Sequence, residues 1–195
     1  MAINEDNYLR VIKSKLPDAS IRSGLRLEAE QWVVFFIGHL PGTSGMLLRS
    51  LCYRLMFHEL RGIALIQPGV TFANTNKLSI GIRFGCNTGT YINALGGIKI
   101  GNNVLLGNNV TISAGRHEID NLSHSIIENP TVPLEILIED DVWIGSGAII
   151  MPGVRIMKGS VIGANSVVTK DTLPYSVNFG VPSRFYRNRQ NKEVN

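Results

Sequence analysis

The residues best equipped for chemistry lie in the stretch Ile112 to Ile126, ISAGRHEIDNLSHSI. It holds His117 and His124, two of the four histidines in the chain, with Glu118 and Asp120 between them. Imidazole titrates near neutral pH, so a displayed histidine can take a proton from a substrate and later return it. Such a base needs its tautomer fixed at the second ring nitrogen, and Asp120, Glu118 or a backbone carbonyl could do this. His124 reads first as a solvated or loop-packing residue and second as a substrate contact. Cys86 is the other candidate nucleophile, but no base neighbours it in sequence. Cys52 and Cys86 stand far apart, in apolar or turn contexts without metal-type spacing, which predicts reduced, small core residues.

The elements that would position this stretch follow a rhythm of six. From Ile138 an aliphatic residue returns at Ile144, Ile150, Ile156, Ile162 and Val168. Four positions after each of the first five comes a small or β-branched residue: Val142, Ala148, Val154, Ser160 and Ser166. Upstream, Ile100, Leu106 and Ile112 keep the step with Val104 and Val110 as companions, and Ile66, Phe72, Leu78 and Phe84 keep it more loosely. A period of six is neither the 3.6 of an amphipathic helix nor the alternation of a hairpin strand. It predicts a coil of short strands, each flat face giving one large inward side chain, a small one near the corner, and a turn. The Gly and Asn of IGNNVLLGNN suit turns that need positive φ. One coil cannot bury its own aliphatic residue, so the stack stabilises itself collectively. Ile112 and Ile138 are out of phase, so Ser113 to Leu137 is expected to leave the stack as a loop. Long excursions from a rigid scaffold commonly carry binding or catalysis.

IEDDVWIGSGAIIMPGVRI, followed by VIGANSVVTKD and GVPSR, resembles the hexapeptide-repeat acyltransferases, specifically the galactoside, maltose and polysaccharide O-acetyltransferases and the xenobiotic acetyltransferases. The resemblance runs from about Ile66 to Arg187 and implies a left-handed parallel β-helix of triangular section, a homotrimer, and acetyl-CoA as acyl donor. In this family the protruding loop carries the catalytic histidine, which puts that role on His117 in SAGRHEID. The W-I-G-S motif implies that Trp143, Gly145 and Ser146 line the acetyl pocket, with Ser146 donating toward the thioester oxygen or the oxyanion. Gly163 and Ala164 would lie along the pantetheine, in a groove between subunits. Thr169, Lys170 and Arg184 match positions near the adenine and its phosphates, where a cation gains from charge-assisted contact. Tyr91, Asn93 and Asp120 fall on the acceptor side. Carbonic anhydrases built on the same helix use three histidines, and a third would have to come from His39 or His58, so no metal is expected.

Composition limits the rest. With 195 residues, 44% hydrophobic and 17% charged, the chain suits one soluble domain, all-β dominated with a helical preface. A net charge of +4 without a dense basic block gives no reason to expect nucleic acid. MAINEDNYLR carries acids where a secretory signal would carry cations, and WVVFFIGHL is far shorter than a membrane-spanning helix, so a cytoplasmic protein is expected. The chain divides into a helical segment 1–62, a β-helix domain 63–187 with its loop at 113–137, and a solvated tail 188–195. Helices are expected at Asn4 to Lys15, Glu28 to His39 and Met46 to Arg61. In the last, Leu47, Leu48, Leu51, Leu55 and Met56 form an apolar stripe, while Arg49, Arg54, His58 and Arg61 gather elsewhere. The stripe should pack on the first coils or a neighbouring subunit, or else meet an anionic lipid surface at the inner face of the membrane. The expected function is acetyl transfer to a sugar hydroxyl of a surface polysaccharide precursor. A xenobiotic acetyltransferase and a non-catalytic β-helix scaffold are the other readings.

Overall fold

The computed structural model describes residues 21–190. The expected helix Asn4 to Lys15 lies outside them. The described chain is a two-helix layer, five coils of parallel β-helix, and a C-terminal hairpin.

Three faces make the prism. Face 1 stacks Glu59–Leu60, Leu78–Ile80, Ile98–Ile100, Ile136–Ile138 and Arg155–Ile156, all parallel. Face 2 stacks Leu65–Ile66, Gly85–Cys86, Leu105–Leu106, Trp143–Ile144 and Val161–Ile162, and face 3 stacks Thr71–Ala73, Tyr91–Asn93, Thr111–Ser113, Ile149–Ile150 and Val167–Val168. The expected inward residues Ile100, Leu106, Ile112, Ile138, Ile144, Ile150, Ile156, Ile162 and Val168 are all buried, and so are their small companions at the corners. Asn103 and Asn109, the second Asn of each pair in IGNNVLLGNN, take φ of 57° and 55°, the left-handed geometry these turns require.

The loose early repeat resolves differently from the expectation. The in-phase residues of the second coil are Ile80, Cys86 and Ile92, which pair in register with Ile100, Leu106 and Ile112. Leu78 and Phe84 are buried too, but Leu78 opens a face 1 strand and Phe84 fills a corner position. Ile66, Cys86 and Leu106 recur every 20 residues, whereas Ile144 and Ile162 are 18 apart. The two extra residues of each early coil fall between face 3 and face 1. The large excursion leaves at the same edge, and it is shorter than expected: Ser113 stays in face 3 opposite Asn93, and Ile136 and Leu137 already belong to face 1.

The helices are α1 (Ile21–Ile37) and α2 (Gly42–Met56). Gly38 ends α1, where a Cβ would sit 2.3 Å from the Val34 carbonyl oxygen. α2 starts and stops earlier than expected because Phe57 is extended and Glu59–Leu60 pairs with Ser79 and Ile80. Sheet pairing overrides the helical pattern of that segment. Tyr53 and Phe57 close the open end of the prism against Phe72, with ring centroids 5.1 and 4.9 Å from it. An exposed end coil would otherwise leave its core wet.

Of the alternatives for the α2 stripe, packing on the first coils fails for its leucines, while Met56 does pack against the core. Gly45, Arg49, Ser50 and Tyr53 face inward, and Leu47, Leu48, Leu51 and Leu55 are exposed. Arg49 can be buried because backbone carbonyls receive it: Nε donates to Ile66 O at 2.9 Å, and Nη1 to Leu40 O at 2.6 Å and Ile37 O at 3.3 Å. It thereby satisfies the carbonyls at the end of α1. At the other end, Ser183–Asn188 is a strand antiparallel to Ser176–Gly180, so the basic tail is hairpin as far as Asn188. Arg189 then pairs with Asp141 at 2.8 Å.

Candidate active site

His117 ends the strand Gly115–His117, which pairs antiparallel with Thr131–Pro133 and places His117 opposite Thr131. This hairpin grows directly from face 3. Ala114 N donates to Asn93 O at 2.9 Å on the way out, and Leu134 N donates to Ala114 O at 3.0 Å on the way back. At its foot only a glycine fits at position 96, where a Cβ would lie 2.3 Å from Leu134 N and 2.4 Å from Ala114 O.

Neither proposed orienting carboxylate bonds to His117. Glu118 Oε1 accepts from Asp120 N and Ile119 N at 2.9 Å each, and the Asp120 amide, ahead of the Ile119 amide and the Arg116 charge, holds the carboxyl below its ordinary range. Glu118 shapes the loop. Asp120 and His124 are exposed, and the His117 Nδ1 atom is buried with no hydrogen-bond partner among the described residues.

Asn93 is oriented by its neighbours. Its Oδ1 accepts from Asn74 Nδ2 at 2.8 Å and from Leu95 N at 3.2 Å, so the amide presents only donor hydrogens on its other side. Asn74, which sequence reading missed, occupies the left-handed region at φ 56° on the same lengthened edge one coil below. The signal was the slip of two residues after Phe72. Tyr91, exposed, shares the outer surface of face 3 with Asn93.

The donor-side residues lie elsewhere. Trp143 stands half-exposed on face 2 between Leu105 and Val161, the face opposite the edge from which the hairpin grows. Ser146 follows at the next corner, where its Oγ accepts from Asn108 N at 3.2 Å and keeps its own hydrogen to donate. Gly145 and Gly163 are required by packing between coils, since a Cβ would lie 2.7 Å from Ala164 N in the first case and 2.7 Å from Phe179 Cβ in the second. Ala164 and Thr169 are exposed. Lys170 and Arg184, distant in sequence, meet at one hollow of about 250 Å³, together with Asp171 and Ser183. The Ser183 Oγ is buried without a hydrogen-bond partner among the described residues. A cationic recess with an unspent hydroxyl suits a phosphate. A larger hollow of about 670 Å³ runs along face 1 and contains none of the expected site residues. Among the described residues no group of three metal-ligating side chains occurs.

One chain therefore brings His117 and Asn93 to one edge and Lys170 and Arg184 to one end, but it leaves Trp143 on another face.

Two family patterns match, "Bacterial transferase hexapeptide (six repeats)" over residues 135–170 and "Hexapeptide repeat of succinyl-transferase" over residues 83–114. The chain is 38% identical over 140 residues to the galactoside O-acetyltransferase of Escherichia coli, covering 71% of this chain and 68% of that one. It is 39% identical over 135 residues to the Lactococcus lactis enzyme of the same name, covering 65% and 61%. The match thus spans about two thirds of the length of these curated relatives. Among solved structures, a galactoside acetyltransferase in complex with coenzyme A superposes with a TM-score of 0.78 at 31% identity, covering 96% of this chain and 91% of the other. A repeat whose inward ladder is buried throughout, a hairpin displaying histidine at its lengthened edge, and relatives of this identity and coverage lead to one assignment: the chain belongs to the hexapeptide-repeat acetyltransferases.

Proposed function

We propose that the protein transfers an acetyl group from acetyl-CoA to a hydroxyl of a sugar, in a surface polysaccharide precursor, with His117 as general base. The observation that supports this reading is the hairpin that displays His117 from the edge of the prism at which the oriented Asn93 ends its strand. In this mechanism the imidazole takes the hydroxyl proton as the alkoxide forms its bond to the thioester carbonyl carbon. The Ser146 hydroxyl donates to the resulting oxyanion. Collapse breaks the carbon–sulfur bond, and the coenzyme A thiolate leaves with the proton held by His117. No acyl-enzyme forms, and Cys86, buried on an inward position, takes no part.

Lys170 and Arg184 are assigned to the coenzyme phosphates, with Thr169 and Ala164 beside the chain of the donor. Because Trp143 and His117 stand on different faces, the site is completed by a second copy, and a homotrimer in the cytoplasm is the assembly this reading expects.

The test is thiol release from acetyl-CoA with galactosides, maltose, nucleotide sugars and chloramphenicol as acceptors. His117→Ala should retain coenzyme binding and lose transfer by about 10²–10⁴-fold. Normal transfer by that variant would overturn the assignment. Silence of the unaltered protein toward every acceptor would favour a scaffold.

A further inference from the structure

The side of α1 that meets the prism follows the helical spacing i, i+3, i+4, i+7 with Glu30, Val33, Val34 and Ile37. The last three pack against the core, so the first is a carboxylate where an aliphatic side chain would be the ordinary choice. Glu30 is 4% exposed. A buried carboxylate costs free energy unless donors surround it, and the donors it has been given are therefore the informative observation.

Those donors are Arg26 and Thr75. Glu30 Oε1 accepts from Arg26 Nε at 3.1 Å, one turn away, and from the Thr75 hydroxyl at 2.6 Å, 45 residues further along the chain. Thr75 Oγ1 also lies 3.0 Å from Met56 O, but that carbonyl already receives Arg26 Nη2 at 2.6 Å, and a hydroxyl has one hydrogen to give. The charged acceptor takes it. Thr75 is fully buried, and its backbone is held as well, since its carbonyl accepts from His58 N at 3.2 Å.

Thr75 follows Asn74, the left-handed residue that turns toward Asn93. At the start of the short 3₁₀ turn Thr75–Lys77 an asparagine would ordinarily cap with its own side chain, yet Asn74 makes no such bond and sends Nδ2 to Asn93 Oδ1 at 2.8 Å. The turn has to be held from elsewhere. Lys77 Nζ, at its far end, donates to Leu95 O at 3.0 Å, and Leu95 N donates to the same Asn93 oxygen at 3.2 Å. A continuous series of side chains thus runs from Glu30 on the helical layer through Thr75 and Asn74 to the Asn93 amide.

We propose that Glu30 is a positioning residue for the acceptor subsite: it holds Thr75, Thr75 fixes the turn at Asn74, and Asn74 sets the Asn93 amide. The proposal rests on the reading that Asn93 meets the acceptor. It gives α1 a part in the reaction beyond closing the end of the prism, with Thr75 as the joint between the two.

The test uses four variants of the full chain. Thr75→Val removes the hydrogen and Thr75→Ser keeps it; Glu30→Met removes the acceptor oxygen and Glu30→Gln keeps one. The first measurement needs no ligand. In protein labelled with nitrogen-15 at asparagine, the Asn93 side-chain amide should be rigid on the nanosecond scale in the unaltered chain, Thr75→Ser and Glu30→Gln, and should loosen in Thr75→Val and Glu30→Met. The second is kinetic, with p-nitrophenyl β-galactoside as acceptor. Its KM should rise about threefold in Thr75→Val and Glu30→Met at unchanged kcat and acetyl-CoA KM, and return in the conservative variants, as weakening one neutral hydrogen bond implies. Added to Asn74→Ala, Thr75→Val should raise the acceptor KM no further, because both act through one amide, whereas independent structural damage would add. The proposal falls if the Asn93 amide stays equally rigid in Thr75→Val and Glu30→Met, or if the acceptor KM ignores those variants while Asn93→Ala raises it. An acceptor KM indifferent to Asn93→Ala as well would overturn the acceptor reading and this role of Glu30 with it, even where the amide loosens.

Discussion

Asn93 accepts two hydrogen bonds on one oxygen, and if it meets the acceptor as proposed, this decides what it offers. With Asn74 Nδ2 and Leu95 N both on Oδ1, its amide hydrogens are left to donate to a substrate oxygen. Asn74→Ala removes the side-chain donor and lets the amide rotate. The acceptor KM should rise about three- to tenfold with little change in acetyl-CoA binding, as loss of one neutral hydrogen bond implies. Initial rates against both substrates separate this from a general loss of fold, which would weaken both. Cys86 offers a contrasting case at the same scale. Burial pushes its thiol up to about 12. The folded value lies above the unfolded one of about 8.5, so the contribution to stability is present below that pH and is lost as pH rises toward 12. In the native protein at pH 8 an aromatic disulfide reagent should react with the partly exposed Cys52 and reach Cys86 only on unfolding.

At the scale of elements, the break in period between Ile112 and Ile138 was legible because a solenoid cannot miss a step without expelling the residues between. His117 could therefore be placed on a protrusion before any geometry was known. The protrusion's form could not, since strand pairing between Gly115–His117 and Thr131–Pro133 depends on contacts across a long loop. One alternative for α2, packing of its leucines on the first coils, failed for a related reason. The stripe of Leu47, Leu48, Leu51 and Leu55 signals an apolar side, but sequence does not say which side the prism takes. The decision falls to Arg49 and Tyr53, which reach the carbonyls and aromatic rings that close the first coil. Arg49→Met should destabilise the protein by about 2–4 kcal/mol, the loss of charge-assisted bonds to otherwise buried carbonyls. A denaturant melt would read it as a lower midpoint at unchanged slope. Lys at the same position should recover only part of the loss, because an ammonium cannot span carbonyls from two segments as a guanidinium does.

For the molecule as a whole, the inward ladder from Ile100 to Val168 was visible in sequence, whereas the two-residue slips in the first coils hid the phase of Ile80, Cys86 and Ile92. Lys170 and Arg184 were grouped by the resemblance alone, and the hairpin of Ser176–Gly180 with Ser183–Asn188 is the physical reason that residues so distant in sequence line one recess. The separation of His117 from Trp143 was beyond single-chain pattern reading, because it depends on which face follows which edge. It also predicts an assembly: sedimentation equilibrium should report three copies of the 21.4 kDa chain. A monomer retaining full transfer would show that one chain suffices.

The lengthened edge has one more consequence. Lengthening confined to one seam of a stacked prism leaves every ladder above and below in phase, so that seam is where the scaffold accepts new sequence at least cost. A segment grafted there would extend the edge that carries the His117 hairpin and leave the stacked strands on either side of it in register.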